Sequence, residues 1–253
     1  MKNQNTKKSL GIIGVGQFSE FFIPHLKPFF SEIYITSKSD KSELAKKLGV
    51  KNSTLDEVCT QDVIMLAMPI SQIEEVLKSI KDKIGVDAIV MDVCSVKDFP
   101  MKEMKKILPK NTQILGTHPL FGPQSGKNGV KDLQIVLCRE RIEEKNFREI
   151  KNIFVKMGLQ VKETTAQRHD EIMAYTQAIT HFFSRAAAQT IPFEDFEFTT
   201  PSAKRLQNII NEVKDDLKEL FIDMQTKNPY ATKIRKKFLK ELNKINEELW
   251  KKK

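Results

Sequence analysis

Cysteine, glycine and tryptophan are all sparse in this chain of 253 residues, which has three cysteines, ten glycines and one tryptophan. Cys59, Cys94 and Cys138 stand far apart, with no CxxC pair and no Cys/His cluster. That spacing argues against a disulfide framework and against a metal centre. Reduced thiols in a cytoplasmic protein are the expectation, with no metal bound. Long apolar runs are missing as well. None approaches the roughly 20 residues that cross a bilayer, so no membrane partner is expected. The segment Met1 to Ser9 is polar, carries no signal-peptide pattern and leads straight into an apolar run.

Charge is plentiful but mixed. Lysine and arginine number 42 against 33 acids, a net charge of +9. The basic residues are spread along the chain and interleaved with acids, and the densest stretch, Lys233 to Lys253, alternates Lys/Arg with Glu and Leu/Ile at helical spacing. This reads as a solvated amphipathic helix and not as a nucleic-acid surface. A modest positive field suits an anionic substrate and a phosphorylated cofactor. At 40% apolar residues the chain can build one large core or two modest ones.

The first two-thirds alternate short apolar runs with helical patterns. Strands are expected at Leu10–Gly14, Glu32–Thr36, Asp62–Ala67, Ala88–Val93, Gln113–Gly116, Gln134–Cys138 and Leu159–Thr164, with helices such as Ser71–Ile84 and Arg141–Met157 between them. This alternation predicts an α/β fold, a Rossmann-like doubly wound parallel sheet over residues 1–165 that binds a dinucleotide. After Thr165 the texture changes to three long helical segments, Gln167–Thr190, Ala203–Met224 and Pro229–Trp250. Residues 166–253 are therefore expected to form an all-helical dimerisation and substrate domain. Apolar residues on more than one side of the first two helices predict a homodimer, the alternative being packing on the chain's own sheet domain.

Gly14-Val15-Gly16-Gln17-Phe18-Ser19 is a GxGxxG turn with serine at its third small position. Gly14 permits the tight turn, Gly16 lets the backbone approach a pyrophosphate, and the helix starting near Gln17 and Phe18 offers free N–H groups. Ser19 is small enough for close helix–strand packing. Pro24 should kink or shorten that helix. An NAD-preferring fold places a carboxylate at the tip of the second strand, whereas here Ser37, Lys38 and Ser39 follow Thr36. Hydroxyls and a lysine suit a 2′-phosphate, so NADP is expected ahead of NAD. A polar turn capping a helix at Ser39 or Asp40 is the bland alternative. Met68 and Pro69 end a strand where the cofactor would cross the sheet edge.

Two further segments carry the chemistry. Asp92-Val93-Cys94-Ser95-Val96-Lys97 closes one strand, and Thr117-His118-Pro119-Leu120-Phe121-Gly122-Pro123-Gln124-Ser125-Gly126 follows the next as a Gly/Pro-rich loop. Both strand ends should face the crevice that holds the dinucleotide. A histidine there can take a proton from a substrate hydroxyl while a neighbouring serine orients it. Taken alone, His118 could equally be structural.

In order along the chain, the GxGxxS turn, the Asp92–Lys97 block followed by Asp98-Phe99-Pro100, the His118 block, the helix His169-Asp170 to His181-Phe182 with Tyr175 and Gln177, and Thr199-Thr200-Pro201-Ser202 resemble the prephenate/arogenate dehydrogenase family. The resemblance covers nearly the whole chain. It implies oxidative decarboxylation of prephenate to 4-hydroxyphenylpyruvate in tyrosine biosynthesis, with hydride passing to a nicotinamide. His118 would accept the proton of the ring hydroxyl and Ser95 would hydrogen-bond at the same site. Gln177 and His181, one turn apart, would face the substrate, and His169 is a helix-start histidine or a direct participant. The family's carboxylate-binding arginine falls at Lys204 or Arg205, with Arg205 preferred for its fork geometry. Neutral Gln124, where relatives often carry an acid, points to prephenate ahead of arogenate. A monofunctional catalytic unit is expected, with any feedback by tyrosine acting at the active site. Two other readings compete: a Rossmann reductase of the β-hydroxyacid dehydrogenase or imine reductase kind, and a non-catalytic NADP-binding sensor.

Overall fold

The computed structural model describes residues 7–191, 197–213 and 216–252. The chain divides into two compact units, Met1–Ala166 and Gln167–Lys253. In the first unit the strands are β1 (Leu10–Ile13), β2 (Ile33–Thr36), β3 (Lys51–Asn52), β4 (Val63–Leu66), β5 (Ile89–Asp92), β6 (Gln113–Pro119), β7 (Gln134–Arg141) and β8 (Gln160–Thr164). They form one sheet in the order β3-β2-β1-β4-β5-β6-β7-β8. β1, β4 and β5 are buried along their whole length, as strands covered on both faces must be. Alternate residues supply two cores: Ile12, Ile35, Met65 and Leu115 on one face, Ile13, Ile64, Leu66 and Val90 on the other. The helices are α1 (Gln17–Leu26), α2 (Ser42–Leu48), α3 (Leu55–Cys59), α4 (Ile73–Ile80), α5 (Asp98–Ile107) and α6 (Glu144–Lys156). The strand order reverses between β1 and β4, the place where an open α/β sheet leaves a crevice.

The doubly wound sheet is as expected, with differences in detail. β3 is a polar two-residue strand paired only to β2, too short to show a periodicity. β7 runs antiparallel to β6. The connection between them, residues 120–133, contains no helix to serve as a crossover, and a chain without one can only turn back. β6 also extends beyond Gly116 through His118 and Pro119. The last β5–β6 pair is Asp92 with Gly116, so on that side Pro119 needs no N–H for the ladder. Pro24 falls inside α1, which ends at Leu26 and continues as a 3-10 turn, Lys27–Phe29. The helix expected at Ser71–Ile84 begins as a 3-10 turn at Ile70–Gln72 and ends at Ile80.

The second unit is helical. α7 (Ala166–Met173) passes through a π turn, Ala174–Ala178, into α8 (Ile179–Thr190). α9 (Pro201–Val213) starts where Thr200 Oγ1 accepts the N–H of Ala203, with Pro201 in the first helical position. The single helix expected at Ala203–Met224 is instead α9 and a separate α10 (Lys218–Lys227). Leu217, with φ −52° and ψ 133°, is non-helical, and the Asp216 carbonyl accepts from Arg185 Nη2 at 2.9 Å. That cross-helix bond gives the break a partner that the apolar periodicity does not reveal. α11 (Ala231–Trp250) closes the chain.

Phe154 on α6 is 2% exposed within the core that includes Ile12 and Met65. Phe154→Ala should cost about 3–5 kcal/mol, seen as a lower urea midpoint with an unchanged slope. A loss below about 1 kcal/mol would mean that α6 does not hold this face of the sheet.

Candidate active site

The turn after β1 is built by close approach. Gly14 has φ +98°, and a Cβ there would lie 2.7 Å from the Ala67 backbone at the end of β4. No L side chain fits either the conformation or the space. Ser19, fully buried on α1, donates its hydroxyl to Gly14 O at 2.8 Å and so pins the turn to the helix. At Gly16 a Cβ would meet nothing within 4 Å, and no side chain caps the helix that begins there. Gly16 and Gln17 are exposed and Phe18 is half-buried. The first-turn N–H groups of α1 are thus left without a side-chain acceptor, beside open space: the arrangement fits a pyrophosphate.

At the tip of β2, Ser37 is half-buried and Lys38 and Ser39 are exposed. The nearest carboxylate, Asp40, accepts from Ser42 N at 3.1 Å, Ser42 Oγ at 2.6 Å and Asn52 Nδ2 at 3.1 Å. Those bonds hold its pKa below the ordinary value, the Ser42 hydroxyl contributing most. Asp40 is engaged in starting α2. Met68 and Pro69, both half-buried, follow β4 next to the glycine turn.

The ends of β5 and β6 are joined by a buried ion pair. Lys97 and Asp92 are each 0% exposed, and Lys97 Nζ bonds to Asp92 Oδ2. The same ammonium donates to Thr117 O at 2.7 Å, and Cys94 N donates to Asp92 Oδ2 at 3.0 Å. Thr117 Oγ1 donates back to Asp92 O. The loop 93–96 that carries Ser95 is therefore tied at both ends to the strand that carries His118. Among the described residues, three buried side-chain atoms have no hydrogen-bond partner: Ser95 Oγ and Asp92 Oδ1 here, and Ser184 Oγ in the helical unit. An orphaned hydroxyl of this kind is costly unless a ligand completes it.

His118 itself is only 4% exposed and lies inside β6, opposite Val136. The sequence pattern put it in the Gly/Pro-rich loop after the strand, and this is a correction. The Gly/Pro-rich turn begins only after Pro119. Gln124 is exposed in that turn, which is closed by Gly126 N to Gly122 O at 2.8 Å.

In the helical unit, His181 lies on α8 with its side chain 14% exposed and Nδ1 3.3 Å from Asp216 Oδ2. Burial first, then the Arg185 guanidinium, pushes the imidazole down to about 4. Near neutral pH the ring is uncharged. Gln177 is half-buried inside the π turn, four residues before His181. Lys204 and Arg205 are exposed in the first turns of α9. His169 and Asp170 are buried side by side, Nδ1 to Oδ1 2.8 Å, and Asn228 Nδ2 donates to Asp170 O at 2.8 Å. Among the described residues no group of three His, Cys, Asp or Glu could hold a metal ion, and no helix is long and apolar enough to cross a membrane.

Residues 26–163 match the nucleotide-binding domain of prephenate dehydrogenase, and residues 165–253 match its dimerization domain. The chain belongs to the prephenate dehydrogenase family. Similar proteins include arogenate dehydrogenase 1 of Arabidopsis thaliana, 30% identical over 245 residues, which cover 93% of this chain and 38% of that one. A probable arogenate/prephenate dehydrogenase of Methanocaldococcus jannaschii is 26% identical over 98% of this chain and 57% of its own. The chain thus spans well under two thirds of either relative. In fold it resembles the prephenate dehydrogenase of A. aeolicus crystallised with hydroxyphenyl propionate and NAD+, with a TM-score of 0.77 at 23% identity over 99% of this chain and 93% of that one.

Within this prephenate dehydrogenase family member, sequence reasoning overlooked the Asp92–Lys97 pair as a structural device. The signal was an aspartate ending an apolar strand, between Met91 and Val93, and a lysine five residues on, directly after Val96. Lys97→Met should cost about 3–5 kcal/mol by leaving the Asp92 charge buried and unpaired, and adding Asp92→Asn should recover part of that. Equal stability of single and double variants in urea would show that the pair is not coupled.

His181 predicts a second effect. Its imidazole takes a proton near 6.5 when unfolded but only near 4 when folded, so the stability it contributes is complete above 6.5 and lost as pH falls toward 4. Between pH 7.5 and 4.5 the loss relative to His181→Asn should be about 2.5 kcal/mol, read from urea midpoints at those two values. An unchanged gap between the two proteins at the two pH values would contradict this.

Proposed function

We propose that this chain oxidises and decarboxylates prephenate to 4-hydroxyphenylpyruvate, a step of tyrosine biosynthesis, with NADP ahead of NAD as the acceptor. The observation that carries the reading is the buried, unpartnered Ser95 hydroxyl on the loop after β5, bonded through Lys97 and Thr117 to the strand that bears His118. In this reading His118 accepts the proton of the ring hydroxyl and Ser95 holds the same oxygen by a hydrogen bond. As the O–H bond breaks, the carbon it belongs to gives up its hydrogen with the electron pair. The bond to the ring carboxylate then breaks, its electrons enter the ring and CO2 departs. A bound nicotinamide dinucleotide supplies the acceptor for the hydride.

Gly14, Gly16, Gln17, Phe18 and Ser19 hold the pyrophosphate against the start of α1. Met68 and Pro69 border the cofactor after β4. Ser37, Lys38 and Ser39 suit a 2′-phosphate, and the neighbouring Asp40 is already occupied by Ser42 and Asn52. Prephenate carries two carboxylates. Arg205 or Lys204 on α9 supplies the positive clamp, Arg205 by preference. Gln177 and neutral His181 donate hydrogen bonds, and Gln124 adds a neutral polar contact. Exposed Tyr175, Ile209, Leu217, Leu220 and Ile222 on the helical unit support a homodimer. The cytoplasm, expected from the sparse cysteines, is the compartment we propose.

Arogenate is the second reading, favoured by the name of the 30%-identical plant relative. The deciding experiment follows reduced cofactor in four mixtures, prephenate or arogenate with NADP or NAD. Turnover highest with prephenate and NADP is expected. His118→Asn should lower that rate by about 10²–10⁴-fold while cofactor binding is unchanged. Silence in all four mixtures from folded, NADP-binding protein would leave the sensor or another reductase as the better reading.

A further inference from the structure

The helix that carries Gln177 and His181 is interrupted between two plain α segments. Over Ala174–Ala178 it opens to a π turn. Local chemistry favours that opening. Thr176 Oγ1 donates to Ile172 O at 3.0 Å and Thr180 Oγ1 donates to Thr176 O at 2.7 Å, two hydroxyls drawing on carbonyls four residues back. A π turn also leaves carbonyls that need a donor from outside the helix. Gln225, on α10 and 5% exposed, provides one: its Nε2 donates to Ala178 O at 2.7 Å. The other end of the same amide is held as well. Arg235 Nη1 on α11 donates to Gln225 Oε1 at 2.7 Å and lies 3.2 Å from Gln225 O, and its guanidinium sits 5.7 Å from the Phe182 ring, the residue after His181. An amide fixed at both ends cannot flip, so only one orientation of Gln225 satisfies the site.

The consequence is geometric. One residue added to a helical turn rotates everything beyond it by about 100° relative to an uninterrupted α-helix. The face that α8 presents, with His181, Ser184 and Arg185 on it, is thus set by the π turn and not by the α-helical register of α7. We propose that Gln225, locked by Arg235, is a positioning residue that holds the π turn open and so sets the rotation at which Gln177 and His181 meet the substrate. This rests on the reading above that those two side chains line the substrate subsite. Gln225 and Arg235 act through α8 and touch no reacting atom.

Gln225→Met keeps the volume and removes the donor to Ala178 O. Two readouts separate the clamp from the subsite. The first is proton NMR of the His181 ring: its titration, near 4 in the parent, should move upward toward 6.5 as the ring leaves its buried setting. A titration that stays near 4 would overturn the clamp. The second is kinetic. KM for prephenate should rise about tenfold, the worth of one well-placed hydrogen bond, with cofactor affinity unchanged. In a His181→Asn background the same substitution should add little, because both changes remove one contact. Full additivity would overturn the inference, since Gln225 would then act elsewhere. A titration that moves while His181→Asn itself leaves KM unaltered would overturn the subsite reading instead. Arg235→Gln, which frees Gln225 without emptying its site, should give smaller shifts in the same directions and serves if Gln225→Met does not fold.

Discussion

The buried ammonium of Lys97 is the constraint on which the candidate site depends. It sits between the Asp92 carboxylate and the Thr117 carbonyl, and it connects two parallel strands just where their ladder ends. A charge this deep is costly to desolvate and contributes little net stability against an apolar substitute. What it provides is geometry. The loop with Ser95 closes on Asp92, the strand with His118 is held by Thr117, and neither can drift without breaking a charged hydrogen bond. The sheet supplies direction by placing strand ends at one edge, and the ion pair supplies position.

The glycine turn follows the same logic by other means. Gly14 is required because the backbone of β4 occupies the place of a side chain, and Ser19 because its hydroxyl bonds back to Gly14. Close approach leaves the start of α1 uncapped and open. The helical unit solves its positioning problem with polar side chains in its interior, where Gln225, Asn228 and Arg235 satisfy backbone carbonyls at a π turn and near a buried His–Asp pair. Both units thus hold the candidate site's side chains by satisfying backbone groups, which constrains orientation more tightly than apolar contact does.

The alternation of apolar runs such as Val63–Leu66 and Ile89–Asp92 with amphipathic helices was enough to read the doubly wound sheet, because strands buried on both faces must be apolar throughout. The Gly14–Ser19 turn and the block around His118 were legible for a related reason, since few residue types tolerate those backbone paths. β3, Lys51–Asn52, was not legible. Its two residues are polar and its pairing belongs to β2. The direction of β7 was equally hidden, because nothing in an apolar run says which way it is crossed. His118 read as part of the loop beside so many glycines and prolines, yet the ladder to Val136 draws it into β6. Beside the break between α9 and α10, Arg185, some 30 residues earlier, reaches the Asp216 carbonyl.

By itself, then, the sequence determined the family, the alternating sheet architecture, the change to helices after residue 165 and the residue types available for proton transfer. Periodicity and local backbone demands are written residue by residue. Only the tertiary structure decided that Lys97 is a buried tie and not a solvated lysine, that Ser95 Oγ lacks an internal partner, and that a π turn interrupts the helix before His181. Each of these depends on hydrogen bonds between residues far apart in the chain, and no local pattern records whether a donor will find its acceptor.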